Sequence, residues 1–401
     1  MKHILFVDDD ANVLSGLRRT MREMKDEWQM DFTDSGEKAL QLMRSTSYDA
    51  IVSDMRMPGM NGAQLLRHVM EDYPNVIRIV LSGHAEKKLM LDCASTVHQY
   101  LAKPCDASQI RQTINRACEL RSLLDSDDLQ KLVSGLNTIP SLPELYLEIV
   151  EMMKSPDVSV KDVGETIARD IGMTVKIMQL VNSAFFGLKH RVNNPADAVA
   201  LLGMEVLQAL VLTTSVFSEL EQFSEAPLDS ARLWLDATET GALARQIAVF
   251  ENMDSIAREY AFMAGMLHAV GQLVLAVNMP QEYADVIVLA KEKEIEIWQA
   301  EQEILGHSQM AVGGYLLGLW GIADPIVEAV AYYRFPMESH GPGFWPVTAV
   351  HAASGLLRSE KDATDPTRHL DMKFLKGAGV DSHVEQWQDL LLQMRNTGTE
   401  K

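Results

Sequence analysis

Cysteine is nearly absent: three in 401 residues, at 93, 105 and 118. So few, so irregularly spaced, cannot make a disulfide framework or a cysteine zinc site, and a reducing cytoplasm is the expected setting. Long apolar runs are missing too. Hydrophobic residues make up 47% of the chain, yet no unbroken stretch reaches the ~18–20 residues of a spanning helix, so no membrane is expected. Met1-Lys2-His3-Ile4 leads straight into a strand-like run ending in three aspartates, which is not a signal-peptide pattern. Positive charge is scarce where nucleic-acid binding would need it. Residues 1–122 hold 16 Lys/Arg against 17 Asp/Glu, whereas residues 123–401 hold 20 against 39. Affinity for DNA comes largely from basic side chains on phosphates. A back half this acidic, with no basic recognition helix in view, excludes nucleic acid as the expected partner. Internal repeats and low-complexity stretches are absent.

Residues 1–122 alternate short β-branched runs with amphipathic stretches. Strands are expected at 3–8, 30–33, 50–54, 77–82 and 99–102. Helical spacing fills the gaps, as in Val13, Leu14, Leu17 and Met21. Five βα units in about 120 residues imply an open, doubly wound parallel sheet. Beyond 106 the pattern turns helical. Ile110, Ile114 and Ala117 mark a helix that could extend through Leu124, and Asp125-Ser126-Asp127-Asp128 interrupts the run. A linker reaches Pro140 and Pro143, and nearly everything after it reads as helix. The segments 173–185 and 197–217 each place apolar residues on one face, and the chain looks frayed from about 394.

Four motifs fall at ends of the expected strands. Asp8-Asp9-Asp10 ends the first, Asp54 the third, Ser82 the fourth and Lys103 the fifth. In a doubly wound sheet the carboxyl ends of the strands form the ligand crevice. Three carboxylates, a hydroxyl and an ammonium therefore converge. Crowded carboxylates repel unless a cation sits among them, and Mg²⁺ selects such oxygen ligands together with water and phosphate. A carboxylate can attack phosphorus and form an aspartyl phosphate. The metal and Lys103 would neutralise the phosphoryl oxygens, and the Ser82 hydroxyl would hydrogen-bond one of them. Each motif alone has a bland reading: the aspartates as a strand-end turn or helix cap, Lys103-Pro104 as a loop. Their order and placement together argue for a site.

With these residues, 1–122 resembles a response-regulator receiver domain of flavodoxin-like (βα)5 fold. The resemblance implies Asp54 as phospho-acceptor and Asp8 and Asp9 as the acidic pair. It gives the metal to Asp8, Asp9, Asp54 and the backbone carbonyl of Arg56. Ser82 and Tyr100 become the switch positions and Lys103 the paired lysine. Tyr100 reads equally well as an exposed edge aromatic.

A second resemblance rests on Ile139-Pro140-Ser141-Leu142-Pro143, LVNSAFFG (180–187), AVALLGMEVLQALVL (198–212), AGMLHAVGQLVL (264–275) and LGHSQMAVGGYLLGLWG (305–321). Together these look like an HDOD domain, an all-helical relative of HD-type phosphodiesterases. HD enzymes hold one or two cations with histidines and an adjacent His-Asp pair, supplying a Lewis acid and a metal-bound hydroxide. Here the pair reads His268-Ala269, and Ala331-Tyr332-Tyr333-Arg334 stands where relatives often show paired histidines. No Gly-Tyr-Pro motif occurs, Gly314-Tyr315-Leu316 being internal to a helix. His268 then reads as a hydrogen-bonded core residue, with no metal expected at His268 or Ala269, and His307 as a helix-start residue. Asn182-Ser183-Ala184 either lines a groove or caps a helix. Phe335, Phe344 and Trp345 either anchor an interface or cover the bundle.

The expected organisation is a receiver at 1–122, a linker or connecting helix at 123–138, an HDOD domain at 139–357 and a helical extension or tail at 358–401. The implied protein is a cytoplasmic two-component response regulator with Mg²⁺ as cofactor. A sensor histidine kinase would act upstream and an unidentified signalling protein downstream, with a homodimer left open. Beyond phosphotransfer to itself it is no enzyme. The alternative is an HD-type cyclic-dinucleotide phosphodiesterase, or a degenerate copy regulating a partner phosphodiesterase; a transcription factor ranks third.

Overall fold

The computed structural model describes residues 1–82, 96–103, 105–121, 124, 127–136, 149, 152, 158–181, 192, 194–201, 227–339 and 344–398. Its strands are β1 (Lys2–Val7), β2 (Trp28–Thr33), β3 (Ala50–Asp54), β4 (Ile77–Ser82) and β5 (Gln99–Ala102). They form one parallel sheet in the order β2-β1-β3-β4-β5. Alternation along each strand feeds two cores. Leu5, Val7, Ile51, Val80 and Tyr100 pack with Leu65, Leu66 and Val69 of helix α3 (Gly62–Asp72), and with Ala39 and Met43 of α2 (Gly36–Ser45). Ile4, Phe6, Val52, Ile79, Leu81 and Leu101 pack on the other face, against Ile110, Ile114 and Ala117 of α4 (Ala107–Arg121). A further helix beside the sheet, α1 (Ala11–Thr20), is capped by Asp10. Helix α4 is described to Arg121, short of Leu124, which is itself buried.

The second core does not end with the sheet. It continues through Leu129 and Val133 of α5 (Asp127–Gly135) into the helical region. That region comprises α6 (Val160–Ile167), α7 (Ile171–Val181), α8 (Ser230–Phe250), α9 (Ser255–Leu267), α10 (Val270–Asn278), α11 (Pro280–Lys293), α12 (Ile297–Leu305), α13 (Gln309–Leu319), α14 (Asp324–Tyr332), α15 (Pro346–Lys361), α16 (Met372–Gly377) and α17 (Val384–Gly398). The span Ser255–Asn278 is long and apolar enough to cross a membrane by length and composition alone. It is 83% buried within the fold and breaks at His268-Ala269 between α9 and α10, as a core pair would. Of the segments expected to be helical, 182–191 and 202–217 lie outside the described residues, as do Ile139–Pro143 and Asn182-Ser183-Ala184.

The chain end is helical through Gly398 rather than frayed from 394. Trp387 of α17 is fully buried and donates from Nε1 to Glu251 (2.9 Å). Arg395 bridges Glu239 of α8 and Glu360 of α15. These contacts hold the last helix down against both.

Helices α8 and α9 cross at a pair of glycines. A Cβ on Gly265 would sit 2.5 Å from the Gly241 Cα, so the backbones touch where no side chain fits. This crossing sets how Asp236 on α8 stands relative to His268 at the end of α9. Gly265→Ala is expected to cost about 1–3 kcal/mol through overpacking, read as a lowered unfolding midpoint. Gly16→Ala, whose Cβ meets nothing within 4 Å, should instead gain up to about 1 kcal/mol of helix propensity. Equal responses at the two positions would remove the steric explanation.

Candidate functional site

At the carboxyl edge of the sheet, the Lys103 ammonium just after β5 donates to Asp8 Oδ2 at 2.7 Å and also to Asp54 Oδ1. Asp8 and Asp54 are buried, 2% and 8% exposed. Burial opposes the ammonium, but the Asp54 and Asp8 carboxylates outweigh it and hold the Lys103 pKa above the ordinary lysine value. The lysine therefore stays charged. Asp8, Asp54 and Lys103 come from three strand ends, and parallel pairing alone brings them together.

The loops refine this placement. Asp8 Oδ1 accepts from the Asp10 N–H (3.0 Å), while Asp10 caps α1 through the Asn12 N–H (2.7 Å). The three aspartates thus divide their work: Asp8 faces the pocket, Asp9 is exposed at the rim and Asp10 starts the helix. Asp54 Oδ2 accepts from the Arg56 N–H (2.9 Å), so Arg56 contributes backbone while its side chain is exposed. Met55 and Met57 are buried and pin the loop on either side. Gly62 then lets α3 start against the site. A Cβ there would fall 2.1 Å from the Asp54 carbonyl oxygen, and its N–H donates to Met55 O (3.0 Å). Ser82 ends β4 in register with Ala102. Tyr100 is 5% exposed and packed in the core with Val80 and Val97. That corrects its reading as an exposed edge aromatic: β5 presents this face to the α2–α3 side.

Among the described residues no three His, Cys, Asp or Glu side chains gather as one metal-ligand group. The pocket nevertheless suits Mg²⁺, which typically takes one or two carboxylates and completes its shell with water and phosphate. Asp8 and Asp54 already converge on a single cationic centre, the Lys103 ammonium, so their oxygens lie within reach of one bridging cation.

The His-Asp position of the helical region is built differently. His268 Nδ1 donates to Gly265 O (2.6 Å), and the ring meets the edge of Tyr333 at 5.3 Å. Burial, with Arg334 and Lys361 nearby, pushes the imidazole down to about 4, against the Gly265 carbonyl and Asp236, which favour the charged form. The imidazole is neutral at physiological pH. Ala269 is buried beside it. Asp236 pairs with Lys361 (2.6 Å) and Arg232 (3.2 Å). His307 is buried one residue before Ser308, the cap of α13. Phe335 stacks edge-on with Trp298 (4.9 Å), and Phe344 packs at 6.2 Å from Trp387. Both contacts belong to the bundle's own packing.

Residues 4–115 match the response regulator receiver domain family and residues 139–336 match the HDOD domain family. An uncharacterized protein of Treponema pallidum is 24% identical over 56% of this chain and 44% of its own length. The hydrogenase transcriptional regulatory protein HoxA of Cupriavidus necator is 30% identical over 34% of this chain and 27% of its own length. The chain thus spans less than half the length of these curated relatives. Among solved structures, the MmoQ response regulator of Methylococcus capsulatus is 18% identical with a TM-score of 0.48, covering 63% of this chain and 98% of that one.

One buried acid escaped the reading of the sequence. Glu301 on α12 is fully buried, accepting from Tyr283 Oη (2.9 Å) and from the Gln309 N–H at the start of α13 (2.7 Å). The available signal was its place one position after Ala300, on the core-facing side of a helix. Burial pushes its carboxyl up to about 7, against those two hydrogen bonds. The folded chain then binds this proton more tightly than the unfolded chain, whose carboxyl titrates near 4.5. Stability should therefore fall as pH rises between those values, by on the order of 3 kcal/mol. Glu301→Gln is expected to flatten this loss in unfolding midpoints measured from pH 5 to 8. Parallel pH profiles for wild type and variant would contradict it.

Proposed function

We propose that this chain, which carries a response regulator receiver domain followed by an HDOD domain, works as a two-component response regulator phosphorylated on Asp54. The observation that carries this reading is the Lys103 ammonium shared between the buried carboxylates of Asp8 and Asp54. A sensor histidine kinase supplies the phosphoryl group. One Asp54 carboxylate oxygen attacks phosphorus. The new P–O bond forms as the P–N bond of the phosphohistidine breaks, and the electron pair leaves on the imidazole nitrogen, which is protonated from solvent. Lys103, kept charged by its two carboxylates, follows the charge onto the phosphoryl oxygens. The Arg56 N–H holds Asp54 in the orientation for attack, and the Ser82 hydroxyl donates to a phosphoryl oxygen. Mg²⁺, held by Asp8, Asp9, Asp54 and the Arg56 carbonyl, would neutralise charge during transfer.

In this proposal the receiver occupies residues 1–122, the connector 123–138 and the HDOD domain 139–357, closed by 358–401. The HDOD domain signals by binding a downstream protein in the cytoplasm rather than by catalysis. Three features support a non-catalytic output. Ala269 offers a methyl group in the His-Asp position. His268 spends its Nδ1 proton on Gly265. Asp236 is already neutralised by Lys361 and Arg232. A hydrolytic cation typically needs three or four protein ligands.

Acetyl phosphate with Mg²⁺ should place one phosphoryl group on the wild-type chain and none on Asp54→Ala. Normal labelling of the variant would end this assignment. Purified protein is also expected to retain no stoichiometric transition metal and to leave cyclic dinucleotides intact. Turnover that a chelator abolishes would restore the phosphodiesterase reading.

A further inference from the structure

Arg334 stands just past the end of α14 and is half-buried. Several arginines of the bundle are held by acids: Arg232 by Asp236, Arg245 by Glu259, Arg358 by Glu296, and Arg395 by Glu239 and Glu360. Arg334 is not. Among the described residues its one direct contact is Tyr333, with the guanidinium carbon 5.5 Å from the ring centroid, and no carboxylate pairs with it. A bland account exists, since a cation at a helix C-terminus suits the dipole and can simply be solvated there.

The groups beside it argue for more. Tyr333 is 3% exposed and His268 9%, and their rings meet edge to face. His268 Nδ1 is committed as a donor to Gly265 O. Its Nε2 is therefore a bare acceptor. Among the described residues no group hydrogen-bonds that nitrogen, and the side chain paired with the Tyr333 hydroxyl is Arg334. Nε2 is not one of the buried polar atoms cut off from a partner, so it opens onto accessible space. A fork of donors, a hydroxyl and an acceptor nitrogen are thus gathered around one aromatic ring, with little within the fold to satisfy them.

The charge at this place has a sign of its own. Residues 123–401 carry 20 Lys/Arg against 39 Asp/Glu. His268 nevertheless lies close to two cations, Arg334 and Lys361, and to one acid, Asp236. Asp236 is itself engaged by Lys361 (2.6 Å) and Arg232 (3.2 Å). Glu301, the acid near Tyr333, has both oxygens occupied by the Tyr283 hydroxyl and the Gln309 N–H. Arg232, Arg334 and Lys361 therefore outnumber the one carboxylate left to oppose them. Such surroundings repel a divalent cation and attract an anion. A guanidinium presents a planar fork that matches two oxygens of a phosphate.

We propose that the His268 position, where an HD enzyme would hold a cation, is an oxyanion site in this chain: Arg334 and the Tyr333 hydroxyl donate to a phosphate group, and His268 Nε2 accepts from a hydroxyl beside it. The ligand class is a small phosphate ester with a free hydroxyl, or free phosphate, whose own O–H serves the same nitrogen. No bond is made or broken there. The site goes beyond the phosphorylation of Asp54 and does not rest on it. It gives the HDOD domain a small-molecule input separate from the receiver.

Calorimetric titration of the full chain with ribose 5-phosphate, inorganic phosphate and ribose tests this. EDTA in every sample prevents a metal from bridging phosphate to protein. Wild type should bind ribose 5-phosphate and not ribose. Arg334→Gln should weaken binding about 10- to 100-fold, the worth of hydrogen bonds from a charged group. Its unfolding midpoint should stay at the wild-type value, because the guanidinium bonds to no described acceptor. Tyr333→Phe keeps the buried ring, loses the hydroxyl and should weaken binding about 2- to 10-fold. Tighter binding of the ester than of inorganic phosphate supports the site and assigns it to an organic phosphate; equal affinities support it and assign it to the free ion. Wild type that binds neither phosphate at millimolar concentration would overturn the proposal, as would binding that survives both substitutions. Binding that vanishes in Asp54→Ala would also overturn it, by moving the phosphate to the receiver pocket.

Discussion

An ammonium shared by two buried carboxylates is the interaction around which the receiver is arranged. Asp8, Asp54 and Lys103 sit on strands that are distant in sequence, and without Lys103 the two acids would be like charges facing one another at low dielectric. Their burial is tolerable because the cation is present. The cation keeps its charge because the acids outweigh its desolvation. Parallel pairing, the Asp10 cap on α1, the buried methionines of the β3–α3 loop and the close approach at Gly62 all hold this triad in place. The same arrangement leaves Asp54 with one oxygen on Lys103 and the other on a backbone N–H.

The HDOD region resolves its buried charge by other means. Where an HD site would gather ligands around a cation, this chain sets Asp236 against Lys361 and Arg232, and leaves a neutral His268 on a carbonyl and an aromatic edge. Elsewhere in the bundle Glu301 is fully buried, held by a tyrosine hydroxyl and a helix N-terminal amide. The sheet and the bundle share a single apolar core through α5. The two domains are therefore not beads on a flexible string. Arg78 is fully buried, uncompensated by any described carboxylate, and lends one of its donors to the Ser134 carbonyl of α5 outside the sheet, which makes the connecting helix part of the receiver's own packing.

Much was legible from the residues alone. The five strands follow from β-branched runs, and the strand-end positions of Asp8, Asp54, Ser82 and Lys103 follow from the βα rhythm, because strand direction in a parallel sheet dictates which ends meet. That Ala269 follows His268 where an HD enzyme would have an aspartate was visible in the sequence. The division of labour among Asp8, Asp9 and Asp10 was not visible, since three identical side chains in a row carry no information about which one faces the pocket. Tyr100 carried two readings, switch position and exposed edge aromatic, and the packing of α2 and α3 on that face removed the second.

Sequence by itself determined the two fold classes and which charged side chains stand at the strand ends, because periodicity and residue type are local properties that survive without coordinates. Tertiary structure alone decided the rest. Arg78 and Glu301 drew no reading from the sequence, and Tyr315 read as a coincidence inside a helix. Each acquired its meaning from a partner far away in the chain: Ser134, Tyr283 and Ser134 again. Burial and long-range hydrogen bonding are properties of the packed chain, and no local pattern encodes them.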